Sequence, residues 1–378
     1  MIDVMMFGAK GDGIANDLEA IQTALNFGVK DVYIPKGTYI VDAPIKVPSH
    51  KYINADPGAR IVFVAKKMLT QTDFLLTNED VDYGNDDITI EGGIWDGGFG
   101  REFNKKSTDI YEIGSSSGTC INFVTVRRLR LLNMTVANPV GYYVRLSRVR
   151  GFEIKNIRFS SEKPGPNQDG LHFGGLCRNG VVENVRAITK GQTNDDLLAF
   201  NADDSVIRQE NRGISCGPIE DILVRNVYAE ECHTAIRFAS VTSAIKHVHI
   251  ENIYAGCRCA GINMDANRYC RTPLFKEEGA PNGVGDVSEI KINNCTLFFT
   301  ENAHNPIALI DAEEHCRDFE ITDFHRPAGL DRFMDRPTLL ARNLARQTII
   351  ADGEVTEITD KSQECVVNGE ISTLRLDR

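Results

Sequence analysis

The sequence of 378 residues predicts an all-β parallel solenoid with a short capping helix at its N-terminal end. Two patterns lead to this prediction: short strands with alternating apolar and polar residues recur, and each carries an asparagine near its middle. The asparagines are Asn133, Asn156, Asn184, Asn226, Asn252 and Asn294, and Asp323 takes the next position. Their spacings are 23, 28, 42, 26 and 42 residues. Repeats of roughly 20 to 30 residues with strand-like alternation are typical of a parallel β-solenoid.

A second series of short apolar strands is interleaved with the first. Its members begin at Ile121, Tyr143, Leu171, Leu197, Ala235, Gly261 and Ile307. Leucine-rich repeats are the competing solenoid, but their leucine spacing and helical returns are absent from this sequence. We expect the asparagines to lie at one internal turn, where stacked side chains bond one another and the turn backbone.

The first residues predict a cap over the open end of the solenoid. Val4–Phe7 is expected to form a strand, and the turn of residues 8–13 should lead into a helix that ends at Gly28. Asn16 or Asp17 can cap this helix, whose apolar face would contain Leu18, Ile21 and Leu25. Such a cap is required because the first coil of a solenoid otherwise exposes apolar core.

These patterns together predict one domain, residues 1–378. Residues 1–43 form the N-terminal cap, residues 44–324 form the coils, and residues 325–378 form a C-terminal cap. Both 42-residue spacings indicate a coil with an inserted loop, and these loops are expected near 202–218 and 266–286. Loops that leave one face of a solenoid commonly shape a binding groove.

The composition excludes several classes of partner. A formal charge of −11 argues against nucleic acid and anionic membranes, which need a basic surface. No apolar run approaches the roughly 18 residues of a membrane span, and the first residues lack a secretion leader, so we expect a cytoplasmic protein. The ten cysteines are expected to be reduced thiols, and their spacing matches no zinc site. We predict no cofactor and no metal, and the oligomeric state stays open.

Three carboxylates stand out between Asn167 and Asn201. Asp169 precedes one short apolar strand, and Asp195 and Asp196 precede another strand 26 residues later. If 26 residues make one coil, the three carboxylates become neighbours on adjacent coils. Their mutual repulsion should raise at least one pKa, as a general acid requires.

Several motifs occur in order in this chain: FGAKGDGIANDLEAIQTAL, VYIPKGTY, GGIWDGGFG, NQDG and NDD. Over roughly residues 3–265 the chain resembles the polygalacturonase-like family 28 glycoside hydrolases, which are right-handed parallel β-helices of the pectin-lyase-like superfamily. The opening motif is shared with β-helix epimerases, lyases and phage depolymerases, so it indicates the fold alone. The later motifs, taken together, are more specific.

The resemblance implies roles for individual residues. Residues 167–169 match the N-T-D motif of the family with Gln in place of Thr, and Asp195 and Asp196 match its D-D motif. Asp195 would then protonate the leaving oxygen, while Asp169 and Asp196 would hold the attacking water. His233 would orient or tune the acid.

The coil that contains His233 can be aligned with the family in two ways. Either His233 takes the place of the G-H-G histidine, or residues 235–239 match R-I-K with Asn211–Gly213 at the G-H-G site. The asparagine repeat favours the first alignment, because it leaves no extra coil for the second. Residues 261–265 then carry Asn and Asp where the family reads a uronate carboxylate with Arg and Lys. The resemblance therefore does not imply galacturonate specificity.

Other residues are predicted to contact substrate or to be structural. The predicted substrate-binding residues are Asn167, His172, Arg237, Arg145 and Tyr143. His172 either faces the groove or packs in the interior. Asp203 and its neighbour Asp204 are interpreted as a solvated turn, with a cation site as the alternative, and Trp95 as a packed turn residue.

We therefore predict a glycosidase that hydrolyses a pectin-like or related glycan by an inverting acid/base mechanism. A β-helix polysaccharide lyase, epimerase or phage-type depolymerase is one alternative. A non-catalytic carbohydrate-binding solenoid is another. Each of these hypotheses has a carbohydrate as the partner of the protein.

Overall fold

The computed structural model describes residues 1–67, 69, 73–104, 118–203, 215–271 and 282–378. Within these residues, one sheet of 26 strands winds into a right-handed parallel β-helix, which confirms the predicted fold class. The helices are α1 (Leu18–Asn26) and the 3₁₀ helices Val4–Phe7 and Ala266–Arg271. The strands are β1 (Ile2–Asp3), β2 (Asp12–Asn16), β3 (Asp31–Ile34), β4 (Gly37–Val41), β5 (Ile45–Val47), β6 (Lys51–Phe63), β7 (Leu76–Asn78), β8 (Asn85–Asp96), β9 (Ile121–Val124), β10 (Val126–Leu132), β11 (Thr135–Ala137), β12 (Val144–Ser147), β13 (Arg150–Ser160), β14 (Leu171–Gly174), β15 (Arg178–Ala187), β16 (Asp196–Asn201), β17 (Ile219–Ala239), β18 (Ile245–Met264), β19 (Val284–Phe299), β20 (Ile310–Ala312), β21 (Glu314–His325), β22 (Leu339–Ala341), β23 (Gln347–Ala351), β24 (Glu354–Ile358), β25 (Cys365–Val367) and β26 (Leu374–Asp377).

The repeated asparagines form a continuous hydrogen-bonded ladder along the β-helix. Each side-chain amide donates to the Oδ1 of the asparagine one coil earlier, at 2.7–3.0 Å, from Asn156 to Asn133 through to Asn294 to Asn252. All six residues have a left-handed backbone, with φ between 53° and 60°. The predicted stacking is confirmed, but the expected internal position is wrong. The side chains are exposed, because a left-handed residue at the bend of the strand turns its side chain outward.

A second stack of parallel strands runs beside the ladder. It includes β12, β14, β16, the ends of β17 and β18, and then β20 and β22, each paired with the next. The first halves of β17 and β18 belong to the ladder side, where β15 pairs directly with β17. No coil therefore lies between Asn184 and Asn226 in the ladder. This pairing supports the alignment that places His233 on the coil after Asp195 and Asp196.

Large apolar side chains fill the interior in register from coil to coil. Phe152, Phe173, Phe200 and Phe238 stack with ring centroids 5.2–5.6 Å apart. Trp95 is fully buried, and its indole N–H donates to the Gly92 carbonyl at 3.0 Å, as expected for a packed turn residue. Because residues alternate along each strand, the positions next to these phenylalanines point away from the core.

The N-terminal cap contains the predicted helix but not the predicted first strand. Helix α1 begins after Asp17 and buries Ile21 and Leu25. The Asp17 carboxylate accepts hydrogen bonds from the backbone N–H groups of Lys10 and Gly11, so it ties the glycine-rich turn to the helix. Residues Val4–Phe7 form a 3₁₀ helix instead of a strand, because Asp3 caps its first turn and a left-handed Gly8 ends it.

The C-terminal strands close the parallel sheet with antiparallel pairs. Strand β26 pairs with β21 and β23, and β25 pairs with β22. The predicted inserted loops lie mostly outside the described residues, as do Asp204 and the alternative motif Asn211–Gly213. The proposed division into one domain with two caps stays a prediction.

The predicted thiol state is in agreement with the structure. Nine cysteines are free among the described side chains, and all except Cys216 and Cys259 are buried. In the described part of the chain, no helix combines the length and the apolar character needed to cross a membrane.

Candidate active site

Strand register brings Asp169 and Asp196 side by side on adjacent coils. Leu171 of β14 lies opposite Leu198 of β16, so the residues two places earlier are also neighbours. The Gly170 N–H donates to the Asp196 carbonyl at 2.8 Å, which fixes this register at the start of both strands. Gly170 is required here, since a Cβ would lie 2.6 Å from the Leu197 carbonyl oxygen.

Asp195 and His233 lie next to this pair. Asp196 pairs with Thr234 of β17, and the preceding residues face one another, with His233 Nδ1 3.6 Å from Asp195 Oδ1. One ligand atom from each of Asp195, Asp196 and His233 lies within 4.8 Å of the others. The structure therefore brings together the three predicted carboxylates and the predicted histidine.

The electrostatics of the cluster centre on Asp196. Burial removes water from this carboxylate, and the negative charge of Asp195 adds to the effect, so the pKa of Asp196 is raised well above its usual range. The positive charge of the Arg237 guanidinium opposes this shift but does not cancel it, and its Nε lies 3.9 Å from Asp196 Oδ2. One carboxyl of the cluster is thus protonated more readily than a free aspartate, as the sequence predicts.

His233 is shifted in the opposite direction. Desolvation and then the positive charge of Arg258 lower the pKa of His233 to about 4. The imidazole is therefore neutral at neutral pH, and it shares a hydrogen bond of 3.3 Å with the Thr234 hydroxyl. A neutral imidazole can accept one hydrogen bond and donate another beside Asp195 without adding charge to the groove.

His172 points away from the core but is covered by neighbouring side chains. It is 1% exposed, and its Nδ1 lies 2.7 Å from Oδ2 of Asp169, which is 3% exposed. Its ring stacks on Tyr142 with centroids 4.5 Å apart. Its outward face is covered and its Nδ1 contacts a carboxylate of the cluster, which agrees with the packed alternative. The predicted contact of His172 with substrate stays a prediction.

Two further predicted groove residues are also buried. Tyr143 belongs to the hydrophobic core and donates its hydroxyl to Gln192 Oε1 at 3.0 Å. Arg145 is 1% exposed; its Nε donates to Asn122 Oδ1 at 2.9 Å, and its guanidinium lies against the Phe74 and Tyr142 rings. Neighbouring side chains cover this part of the second stack, and the predicted substrate contacts of Tyr143 and Arg145 stay predictions.

Arg237 and Asn167 lie at the edge of the cluster. Arg237 is 5% exposed and forms an ion pair of 2.5 Å with Asp265 through its Nη2. It pairs in register with Asn263, so the coil that follows carries Asn and Asp beside it, as the sequence alignment predicts. Asn167 is half-buried with a left-handed φ of 54°. Their predicted contact with substrate stays a prediction.

Sequence reasoning missed two residues at this site, Arg258 and Cys259. Arg258 Nη2 donates to the Gly191 carbonyl and to Asn194 Oδ1, on the loop that leads to Asp195. Burial raises the pKa of the Cys259 thiol to about 11, and the negative charges of Asp196 and Asp195 contribute to this shift. Cys259 comes 26 residues after His233, so the coil period was a usable signal for both.

Asp203 is structural. Its Oδ2 accepts hydrogen bonds from the backbone N–H groups of Val241, Thr242 and Ser243, at 2.6–2.8 Å. The interpretation of Asp203 as a solvated residue is wrong, because it is only 7% exposed and its carboxylate binds these three backbone groups. The cation alternative loses this oxygen as a ligand. Asp195, Asp196 and His233 are the set of described residues with the geometry to hold a cation. The nearby guanidinium groups of Arg237 and Arg258 act against that use.

A family profile for rhamnogalacturonase A/epimerase, pectate lyase-like proteins matches residues 1–258. The chain belongs to this family. The matched residues 1–258 contain the whole carboxylate cluster and His233.

Individual relatives agree with this assignment. The preneck appendage protein of Bacillus phage PZA is 32% identical over 96 residues, which are 25% of this chain and 11% of that protein. A probable polygalacturonase of Arabidopsis thaliana is 24% identical over 318 residues, which are 82% of this chain and 60% of that protein. The chain thus spans less than two thirds of either relative. Their similarity confirms the predicted resemblance to polygalacturonase-like proteins.

A solved structure confirms the fold independently. The family 28 exopolygalacturonase of Yersinia enterocolitica superimposes with a TM-score of 0.59 at 16% identity, over 86% of this chain and 71% of that one. At this identity the similarity concerns the β-helix itself and not the reaction.

Proposed function

We propose that this protein is a glycoside hydrolase that cleaves a pectin-like or related glycan by an inverting acid/base mechanism. The observation that carries the proposal is the convergence of Asp169, Asp195 and Asp196, one of which has a raised pKa. Inverting hydrolysis requires one carboxylic acid and one carboxylate, about 6.5–9.5 Å apart, on opposite sides of the scissile bond. Strands one coil apart are about 4.8 Å apart, so carboxylates on adjacent coils offset by one residue can approach that separation.

Asp195 is the proposed proton donor. Its side chain is 26% exposed, so it can reach a bound sugar, whereas the Asp196 side chain is only 6% exposed. Because the pKa of Asp196 is raised, this residue keeps a proton inside the cluster. Asp195 can take up that proton again after it has protonated the leaving oxygen. Neutral His233 lies beside Asp195 and would orient the acid. Asp169 would hold the attacking water with its Oδ1, since its Oδ2 binds His172.

The first test is Asp195→Asn assayed on a panel of oligosaccharides with quantification of reducing ends. We expect kcat to fall by about a factor of 10³, because an amide cannot protonate the leaving oxygen. An activated aryl glycoside needs no such proton, so much of the lost rate should return with that substrate. Asp221→Asn is the matched control, since this exposed aspartate lies on the ladder side of β17.

Product analysis separates the proposal from its competitors. Proton NMR of the first product should show an inverted anomeric centre. An unsaturated product that absorbs in the ultraviolet would assign the site to a lyase, and an isomerised polymer without chain cleavage would assign it to an epimerase. Unchanged turnover in Asp195→Asn on every glycan of the panel would reject the proposed acid.

A further inference from the structure

The Asp169–His172 contact is the feature that the proposed mechanism does not require. His172 Nδ1 lies 2.7 Å from Asp169 Oδ2, and neither residue is more than 3% exposed. Charged hydrogen bonds of this length inside a protein are stronger than exposed ones, and they fix the orientation of both groups. One oxygen of the carboxylate that would hold the attacking water is therefore fixed by His172.

We propose that His172 is a positioning residue whose Nδ1–H holds Asp169 in one ionised orientation for the reaction. This inference rests on the proposed hydrolase function. An ionised carboxylate can only accept hydrogen bonds, so the shared proton must lie on Nδ1 of the imidazole. The proton stays on His172 throughout, and no proton transfer between the two residues is needed.

The surroundings of His172 hold its ring in one orientation. Arg145 lies opposite His172 on the preceding coil, and Ala199 lies opposite it on the following coil. Tyr142 stacks on the imidazole at 4.5 Å, and the same Tyr142 ring lies 5.9 Å from the Arg145 guanidinium carbon. These contacts fix the plane of the ring, with Nδ1 facing Asp169.

Two other titratable groups face Asp169. Asp196 lies beside it on the next coil, and His233 is influenced by its charge. Asp196 is the carboxyl of the cluster with the raised pKa, whereas Asp169 is the one that His172 contacts. The contact between His172 and Asp169 thereby makes the three carboxylates inequivalent. Asp169 can act as a base and Asp196 can retain a proton that the carboxylates would otherwise share.

The test compares His172→Asn with His172→Gln. Both amides remove the ring and its stack on Tyr142, but Asn places its N–H near the position of Nδ1 and Gln places it near Nε2. We expect His172→Asn to keep kcat within about threefold of the parent, and His172→Gln to lose about 10- to 100-fold with little change in KM. The acid limb of the pH–rate profile should move up by about one pH unit in His172→Gln alone, because a carboxylate that loses a donor has a higher pKa.

Equal kcat values and equal acid limbs in the two variants would overturn the proposal. A structural role for the histidine would lower the unfolding midpoint of both variants but would not separate their pH profiles. Circular dichroism establishes that each variant is folded before its kinetics are compared.

A measurement on the parent protein decides the question without any variant or any turnover. Nitrogen NMR of the histidine rings should show His172 protonated at Nδ1 and hydrogen-bonded, and an Nε2–H tautomer would overturn the proposal.

The two proposals fail separately. If the parent protein turns over no glycan, the proposed hydrolase function is rejected. The NMR measurement of the tautomer still tests the hydrogen bond between Asp169 and His172 in that case. An inactive Asp195→Asn beside a fully active His172→Gln rejects the positioning role alone.

Discussion

At the scale of single residues, strand register decides which side chains meet, and the side chains of neighbouring coils decide which of them stay exposed. The 26-residue period placed Asp169, Asp195 and Asp196 together, because strand register follows from counting residues along each coil. Burial depends on the side chains of neighbouring coils, which no count reveals. His172 and Arg145 point away from the core as alternation requires, yet Tyr142 covers them both.

Asp311 provides a prediction at this scale. It lies opposite Asn263 in the second stack, and burial raises its pKa to about 6, although Arg342 binds it at 3.0 Å. The folded state therefore binds a proton more tightly than the unfolded state, and this residue lowers stability as the pH rises from about 4 to about 6. We expect Asp311→Asn to gain about 1–2 kcal/mol in unfolding free energy relative to the parent over that interval.

Urea unfolding at several pH values checks this expectation. Arg342 keeps its ion pair with Glu313 in the variant, so no guanidinium loses all of its partners. Asp318→Asn is the control, since this aspartate is 54% exposed and should leave the pH dependence unchanged. A difference between parent and Asp311→Asn that stays constant with pH would contradict the assignment.

At the scale of elements, the asparagine repeat was the most informative signal in the sequence. The repeat predicted the coils, their spacing and the alignment of His233, because one residue type recurs at one backbone conformation. It did not predict exposure of the ladder, since a left-handed φ is compatible with either side of a turn. The strand predicted at Val4–Phe7 failed for a related reason, because four apolar residues also suit a 3₁₀ turn that Asp3 caps.

The ladder leads to a prediction about its two contributions to stability. Asn226 donates to Asn184, accepts from Asn252 and has a φ of 57°. Asn226→Gly removes the two exposed hydrogen bonds but tolerates the left-handed backbone, and should cost about 0.5–1.5 kcal/mol. Asn226→Ala also places a Cβ in the left-handed region, which adds about 1 kcal/mol or more. Chemical denaturation of both variants measures the difference, and equal losses would show that backbone strain contributes nothing here.

At the scale of the whole molecule, the two ends of the β-helix are protected in different ways. Helix α1 covers the first coils with Ile21 and Leu25, which is the device that the sequence predicts. Antiparallel strands protect the other end, and no pattern in these residues predicts them. Their segments lack the asparagine repeat, and their pairing depends on distant partners such as Phe319 opposite Leu376.

The antiparallel closure leads to the final prediction. Strand β26 covers the edges of both β21 and β23, and Leu374 and Leu376 are each 1% exposed. Deletion of residues 372–378 would uncover unpaired backbone N–H and carbonyl groups on two strands, a surface that recruits further strands. We expect the shortened chain to form larger assemblies than the full chain at equal concentration, as measured by size-exclusion chromatography with light scattering. Leu376→Ala keeps the backbone pairing and should lose about 2–4 kcal/mol of stability without this self-association. An identical mass distribution for the shortened and full chains would show that β26 is dispensable for closing the sheet.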